Sequence, residues 1–279
     1  MNELRILVAF KVTPDFEALR EADWAALAAG AGDTRYVRRV LNCFDESALE
    51  LALRLRRDLA AAGVDGTLSA VSVGGREVEP FLATLRALGY ERAARVEPGP
   101  RPAALDVAPG AVAALVAAYA RRVAHADLVL LGTRSGPGDG GTVPFRVAEA
   151  LALPCLSEVT ELAALPDGRV RVACAADDGL LRLTLNGPCV LAIGNAVVSC
   201  LSAPTLKERL AHRDEPAEVL RDGELGVDLA AELARETVTL AGLETIDRTR
   251  AGALVEGATA AEAARRLYDG WLRDLLERR

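Results

Sequence analysis

The run Gly132-Thr133-Arg134-Ser135-Gly136-Pro137-Gly138-Asp139-Gly140-Gly141-Thr142 is the segment best suited to hold a ligand. It leaves the apolar stretch Leu128-Val129-Leu130-Leu131, which reads as a buried strand, and leads through Val143 into a helical pattern. Glycine lets backbone N–H groups approach a phosphate closely, and a helix N-terminus adds partial positive charge. An anion can be held in this way without lysine. The run is neither G-x-G-x-x-G in Rossmann position nor a Walker loop with its lysine. On these residues alone two readings stay open, a nucleotide cradle and a flexible surface loop.

A second polar group, Asn42-Cys43-Phe44-Asp45-Glu46, stands at the entrance of a helix read over 47–61, with Ser47 and Glu50 in capping-box spacing. For Asn42 and Asp45, capping of that helix competes with ligand contact. Lys11 follows the first strand and is one of only two lysines, the other being Lys207. It reads as a solvated loop charge or as a ligand contact. The two histidines, His125 and His212, are far apart, and the five cysteines (Cys43, Cys155, Cys174, Cys189, Cys200) are never spaced as C-x-x-C. A metal cluster or an ordinary catalytic triad is hard to build from these, so no metal ligand is expected.

Short apolar runs alternate with longer helical patterns, which favours parallel strands joined by crossover helices. Strands are expected at 6–10, 67–73, 93–96, 128–131 and 189–193. Helices are expected at 47–61, 78–88, 111–124 and 145–152, and a hairpin joins 169–174 to 180–185 around Asp178-Gly179. The fold class is α/β, a three-layer open, mostly parallel, Rossmann-like sheet. In such sheets ligands bind beyond the C-terminal strand ends, where the glycine-rich run begins. Residues 1–200 are expected to form this α/β domain, a nucleotide-binding one if the glycine-rich run is a cradle. Residues 201–279 read as a recognition loop, a polar linker and an arm whose final helix starts near Thr259, in capping-box spacing with Glu262. A short amphipathic helix cannot bury its own apolar face and must dock on the main domain or on another chain.

Composition narrows the partners. A net charge of −7 and a pI near 5.1 disfavour nucleic acid and anionic membrane surfaces. No apolar run approaches the roughly 20 residues that span a bilayer. The odd, scattered cysteines suit a reducing compartment, and the first strand starts too early for a signal peptide, so a cytoplasmic protein is expected.

Several short matches lie in one order along the chain. They are Ala9-Phe10-Lys11, the turn from Asn42 to Glu46, Ala70-Val71-Ser72-Val73-Gly74, Asp127 to Gly132, Leu225-Gly226-Val227-Asp228 and Arg250-Ala251-Gly252. In these the chain is similar to electron transfer flavoprotein beta subunits over nearly its whole length. The resemblance implies a subunit paired with an alpha subunit that holds most of the redox FAD. It would carry electrons from an acyl-CoA dehydrogenase-like donor to an acceptor oxidoreductase, with no catalytic residue of its own. It also implies a nucleotide site, with AMP or a second FAD against Ala9, Asn42, Cys43, Phe44, Asp45, Val73 and the loop from Gly132 through Gly140 and Gly141 to Thr142 and Val143. Leu206 corresponds to the exposed leucine on which partner dehydrogenases anchor. The chain departs from the family pattern where Thr142-Val143-Pro144 replaces Q-T-G or Q-V-G, and proline has no N–H to offer a phosphate. Asn42-Cys43 replaces Asn-Pro, and Ala196 to Pro204 replaces an R-x-N-E-P-R-Y run. Alternatives are a bifurcating-type subunit with its own FAD, a nucleotide-binding sensor or hydrolase, and a scaffold paralogue without nucleotide. An ATP-pyrophosphatase loop is missing, because Lys11-Val12-Thr13-Pro14-Asp15 stands where one would be needed.

Overall fold

The computed structural model describes residues 3–30, 32–99, 105, 107–136, 140–237, 241–242, 244 and 252–277. The chain opens with β1 (Glu3–Ala9), a small antiparallel pair of β2 (Val12–Pro14) with β3 (Arg39–Leu41), and α1 (Glu21–Ala28) between them. Then come α2 (Cys43–Ala61), β4 (Asp65–Val73), α3 (Glu79–Ala87), β5 (Arg92–Glu97), α4 (Pro109–Tyr119) and β6 (Leu128–Gly132). After α5 (Val143–Leu151) follow β7 (Cys155–Ala164), β8 (Val170–Ala176), β9 (Gly179–Thr184) and β10 (Cys189–Ile193). The last elements of this part are α6 (Leu206–Ala211), β11 (Glu218–Arg221) and α7 (Leu229–Arg235).

The large sheet runs β11-β5-β4-β1-β6-β10-β7-β8-β9. Neighbours from β11 to β7 are parallel, and only β7-β8 and β8-β9 are antiparallel. Both faces are covered, which is why β1 and β6 read as unbroken apolar runs rather than alternating ones. Ile6, Val8, Leu68 and Leu130 pack against Leu49, Leu55 and Leu59 of α2 and Leu82 and Leu85 of α3. Leu7, Val71, Val129 and Val190 pack on the other face against Leu115 and Val116 of α4, Val147 of α5 and Leu229 of α7. This is the expected three-layer α/β architecture.

Four differences from the sequence reading have local causes. Helix α2 starts at Cys43 rather than 47, and Ser47 is no cap: its hydroxyl donates to the Cys43 carbonyl oxygen at 3.1 Å, inside the first turns. Strand β7 was not expected, since its half-buried residues lack clean alternation and it carries a bulge. Strand β11 was hidden in a polar segment, four residues that take sheet form only by lying beside β5, Glu218 opposite Ala94. Finally, the chain does not leave the first compact unit at 200. That unit runs Met1–Leu243. β11 extends the sheet, Leu225 and Leu229 join the core, and Glu236 accepts the Ala111 N–H at 2.9 Å.

The second unit, Glu244–Arg279, contains α8 (Ala260–Leu267), a π turn over Tyr268–Leu272 and α9 (Arg273–Glu277). Thr259 caps α8 as expected, its hydroxyl accepting the Glu262 N–H. Leu267, Tyr268, Trp271, Leu272, Leu275 and Leu276 are all exposed.

Candidate functional site

The chain passes from β1 through α2 to β4 on one side of β1, and later enters β6 on the other side. The β1/β6 pair is therefore the point where strand order reverses, and its C-terminal end is where an open α/β sheet forms its ligand crevice. The pair is clasped at both ends. At the N-terminal end the Asp127 carboxylate accepts the Arg5 N–H at 2.9 Å and pairs with the Arg5 guanidinium at 2.8 Å. At the C-terminal end the Asp45 carboxylate accepts the Lys11 N–H at 2.9 Å and the Gly132 N–H at 2.6 Å.

Asp45 is not a helix cap. No side chain caps the start of α2, and Asp45 points into the sheet's end instead, 5% exposed. Burial pushes its carboxyl up to about 6, against the pull of the Lys11 and Gly132 N–H groups, the Asn42 amide and the Lys11 charge. Asn42 does not cap either. Its amide donates to the Arg134 carbonyl oxygen at 2.9 Å, so the turn before α2 holds the first residues after β6. The Arg134 guanidinium lies over the Phe44 ring, 6.0 Å from its centre.

Gly132 is needed for this approach. A Cβ there would stand 2.6 Å from Asp45 Oδ1, 2.7 Å from Phe44 Cβ and 3.0 Å from Asn42 Nδ2. Thr133 continues toward β10, its N–H reaching the Ile193 oxygen at 2.8 Å and its hydroxyl the Glu158 carboxylate at 3.1 Å. Glu158, which nothing in the sequence singles out, holds a left-handed φ of 51°. Gly141, with φ +59, is placed so that a Cβ would lie 3.3 Å from Arg134 Cγ and 3.5 Å from the Thr133 oxygen. The two ends of the loop thus meet.

The structure brings Asn42, Phe44, Asp45, Gly132, Thr133, Arg134 and Gly141 into one constellation. Ala9 and Val73 are at the C-terminal ends of the adjacent strands β1 and β4. Cys43 is exposed in the first turn of α2. Ser135 and Gly136 continue the loop and Gly140 re-enters it, while Pro137, Gly138 and Asp139 lie outside the described residues. Thr142 precedes α5 and Val143 is its first residue, with buried Pro144 next. A ligand in this crevice could meet apolar strand ends at Ala9 and Val73, backbone N–H groups of the loop, and the exposed Arg134 head. Pro144 withdraws one N–H from the helix start. Leu206 stands apart from this group, at the start of α6, 72% exposed.

All five cysteines are free thiols. Among the described residues no group of three His, Cys, Asp or Glu side chains could hold a metal ion. No described helix is long and apolar enough to cross a membrane.

The electron transfer flavoprotein domain matches residues 33–225, which include the Asn42–Asp45 turn, β6 and the loop after it. A protein of Escherichia coli named as an electron transfer flavoprotein subunit, YgcR, is 31% identical over 98% of this chain and 100% of its own length. The electron transfer flavoprotein subunit beta of Homo sapiens is 31% identical over 84% of this chain and 88% of its own. That of Mycobacterium tuberculosis is 25% identical over 80% and 81%. The chain belongs to the electron transfer flavoprotein family, among its beta subunits.

Proposed function

We propose that this chain is the beta subunit of a heterodimeric electron transfer flavoprotein. It accepts electrons from acyl-CoA dehydrogenase-like donors and passes them to an acceptor oxidoreductase. The FAD, held mainly by an alpha partner, supplies the redox chemistry, and this chain encloses and orients it. The observation that carries the reading is the Asp45 clasp at the β1/β6 reversal, which ties Lys11, just after β1, to Gly132, where the glycine-rich loop begins.

In this reading Ala9, the Asn42–Asp45 turn, Val73 and the loop from Gly132 to Val143 form a second nucleotide site. AMP is the occupant we favour, with the strand ends against the base and the loop N–H groups and Arg134 toward the phosphate. Leu206 is the anchor for the partner dehydrogenase: an exposed apolar side chain on a short capped helix suits transient docking. The free thiols support a reducing compartment such as the cytoplasm.

The test is co-expression with an alpha subunit, followed by identification of the nucleotides released on denaturation. One FAD and one AMP per heterodimer is expected. Two FAD would replace AMP by a second flavin and make the protein a bifurcating type. FAD without AMP would mean that Pro144 closes the second site. A chain that forms no complex and carries no flavin would overturn the proposal.

A further inference from the structure

Two of the α2 carboxylates that take no part in the clasp turn toward the segment that precedes α6. Glu46 Oε1 accepts the Leu201 N–H at 3.0 Å, and Glu50 Oε2 accepts the Ser202 N–H at 3.0 Å. Glu50 is only 2% exposed, beside buried Ser47 and Leu53 on its helix, and it pairs with the outward-lying Arg54 at 3.0 Å and Arg57 at 3.5 Å. Burial pushes its carboxyl up, but the Ser202 N–H and the Arg54 guanidinium, at 3.0 Å, outweigh this and hold it below its ordinary value. It is therefore a covered carboxylate whose charge is met by the Ser202 N–H and the arginines of its own helix.

Withdrawing a carboxylate from water is costly unless partners repay it. What Glu50 supplies is a charge-assisted acceptor. Residues four apart on a helix project side by side, so Glu46 and Glu50 offer two acceptors to two consecutive backbone donors. Two anchor points fix the direction of the strap as well as its position. Directly after it come buried Pro204 and the capping box of α6, in which Thr205 and Glu208 bond each other's backbone N–H. From that helix Leu206 and Leu210 project into solvent. The strap also roofs a cleft of about 250 Å³ lined by Leu41, Phe81, Leu85 and Arg209.

We propose that Glu46 and Glu50 are positioning residues for partner docking, setting the angle at which α6 presents Leu206 and Leu210. This rests on the docking reading of Leu206 given above. Asp45, one residue before Glu46, is bonded to the ends of β1 and β6. The docking helix and the crevice at the strand ends are thus both referenced to one rigid helix, α2.

The experiment uses the flavin-loaded complex with the alpha partner. The electron donor is whichever purified dehydrogenase of the source organism reduces the wild-type complex fastest. Glu46→Ala and the pair Glu46→Ala/Glu50→Ala are compared with Glu46→Gln/Glu50→Gln and with Leu206→Ala. Amide exchange of residues 201–211 is followed alongside the kinetics. The alanine variants should raise KM for the donor about tenfold at nearly unchanged kcat and flavin content, and speed exchange over 201–211. The glutamine pair keeps a carbonyl acceptor and should restore most of both. Glu46→Ala leaves Glu50 with its partners, so it remains informative if the double variant folds poorly. A raised KM for Leu206→Ala with an unchanged KM for the alanine variants would overturn this inference alone. An unchanged KM for Leu206→Ala, or a wild-type complex that no dehydrogenase reduces, would overturn the docking reading and this inference together.

Discussion

At Gly132 the absence of a side chain decides whether the turn before α2 can reach the end of β6. An alanine would place its Cβ 2.6 Å from the Asp45 carboxylate, so either the clasp or the strand end must shift. Gly132→Ala should cost about 2–4 kcal/mol, since it both overpacks the junction and strains a buried hydrogen bond. Urea unfolding measures this, and a loss under 0.5 kcal/mol would show that the junction can give. Asp45 makes a second prediction, in pH. Its folded value near 6 lies above the unfolded value of 3.8. The protonated group therefore favours the fold, and this contribution is complete below about pH 4 and lost as pH rises through 6. Over that window the stability of the wild type relative to Asp45→Asn should fall by an amount on the order of 3 kcal/mol. The asparagine cannot titrate, so parallel pH curves for the two proteins would contradict the assignment. At this scale the residue types were legible but their partners were not. Asn42 and Asp45 have the composition of helix caps, and only the approach of β1 and β6 turns both away from that role.

Among the elements, α2 shows how a local pattern can mislead. Ser47 and Glu50 have capping-box spacing, yet the helix has already begun at Cys43 and both side chains are engaged otherwise. The same spacing is a true cap at Thr205 and Glu208, which bond each other's backbone N–H at the start of a short exposed helix. Thr205→Ala should therefore cost about 1 kcal/mol, confined to α6. Amide exchange over 206–211 should quicken while the global unfolding midpoint stays within error, and a global loss would mean that α6 is part of the cooperative core. Strands whose two faces are both buried, such as β1, β6 and β10, were readable as apolar runs. β11 was not, because four polar-flanked residues become a strand only when β5 offers its edge.

For the whole molecule, the division into Met1–Leu243 and Glu244–Arg279 leaves both core clusters inside the first unit, none of their described residues lying beyond Leu233. A chain ending at Leu243 should keep its thermal midpoint within about 5 °C of the full chain, since it keeps every described core residue. If the arm binds the alpha partner through Leu267, Trp271 and Leu275, the shortened chain should fail to form a stable heterodimer. Calorimetry and size exclusion with the alpha subunit check the two halves separately. A shortened chain whose midpoint falls by much more would show that residues beyond Leu243 contribute to its stability.

The sequence by itself determined the α/β class, the order of most strands and helices, and the place of the glycine-rich loop after a buried strand. These follow from periodicity and from turn residues, which act over a few neighbouring positions. The ordered motifs also identified the family. Only the tertiary structure decided what the charged side chains at the start of α2 do. Asp45 bonds a backbone N–H 87 residues away, and Glu50 one 152 residues away. Such pairs depend on which strands become neighbours, and a buried carboxylate takes whatever unpaired N–H that arrangement brings within reach.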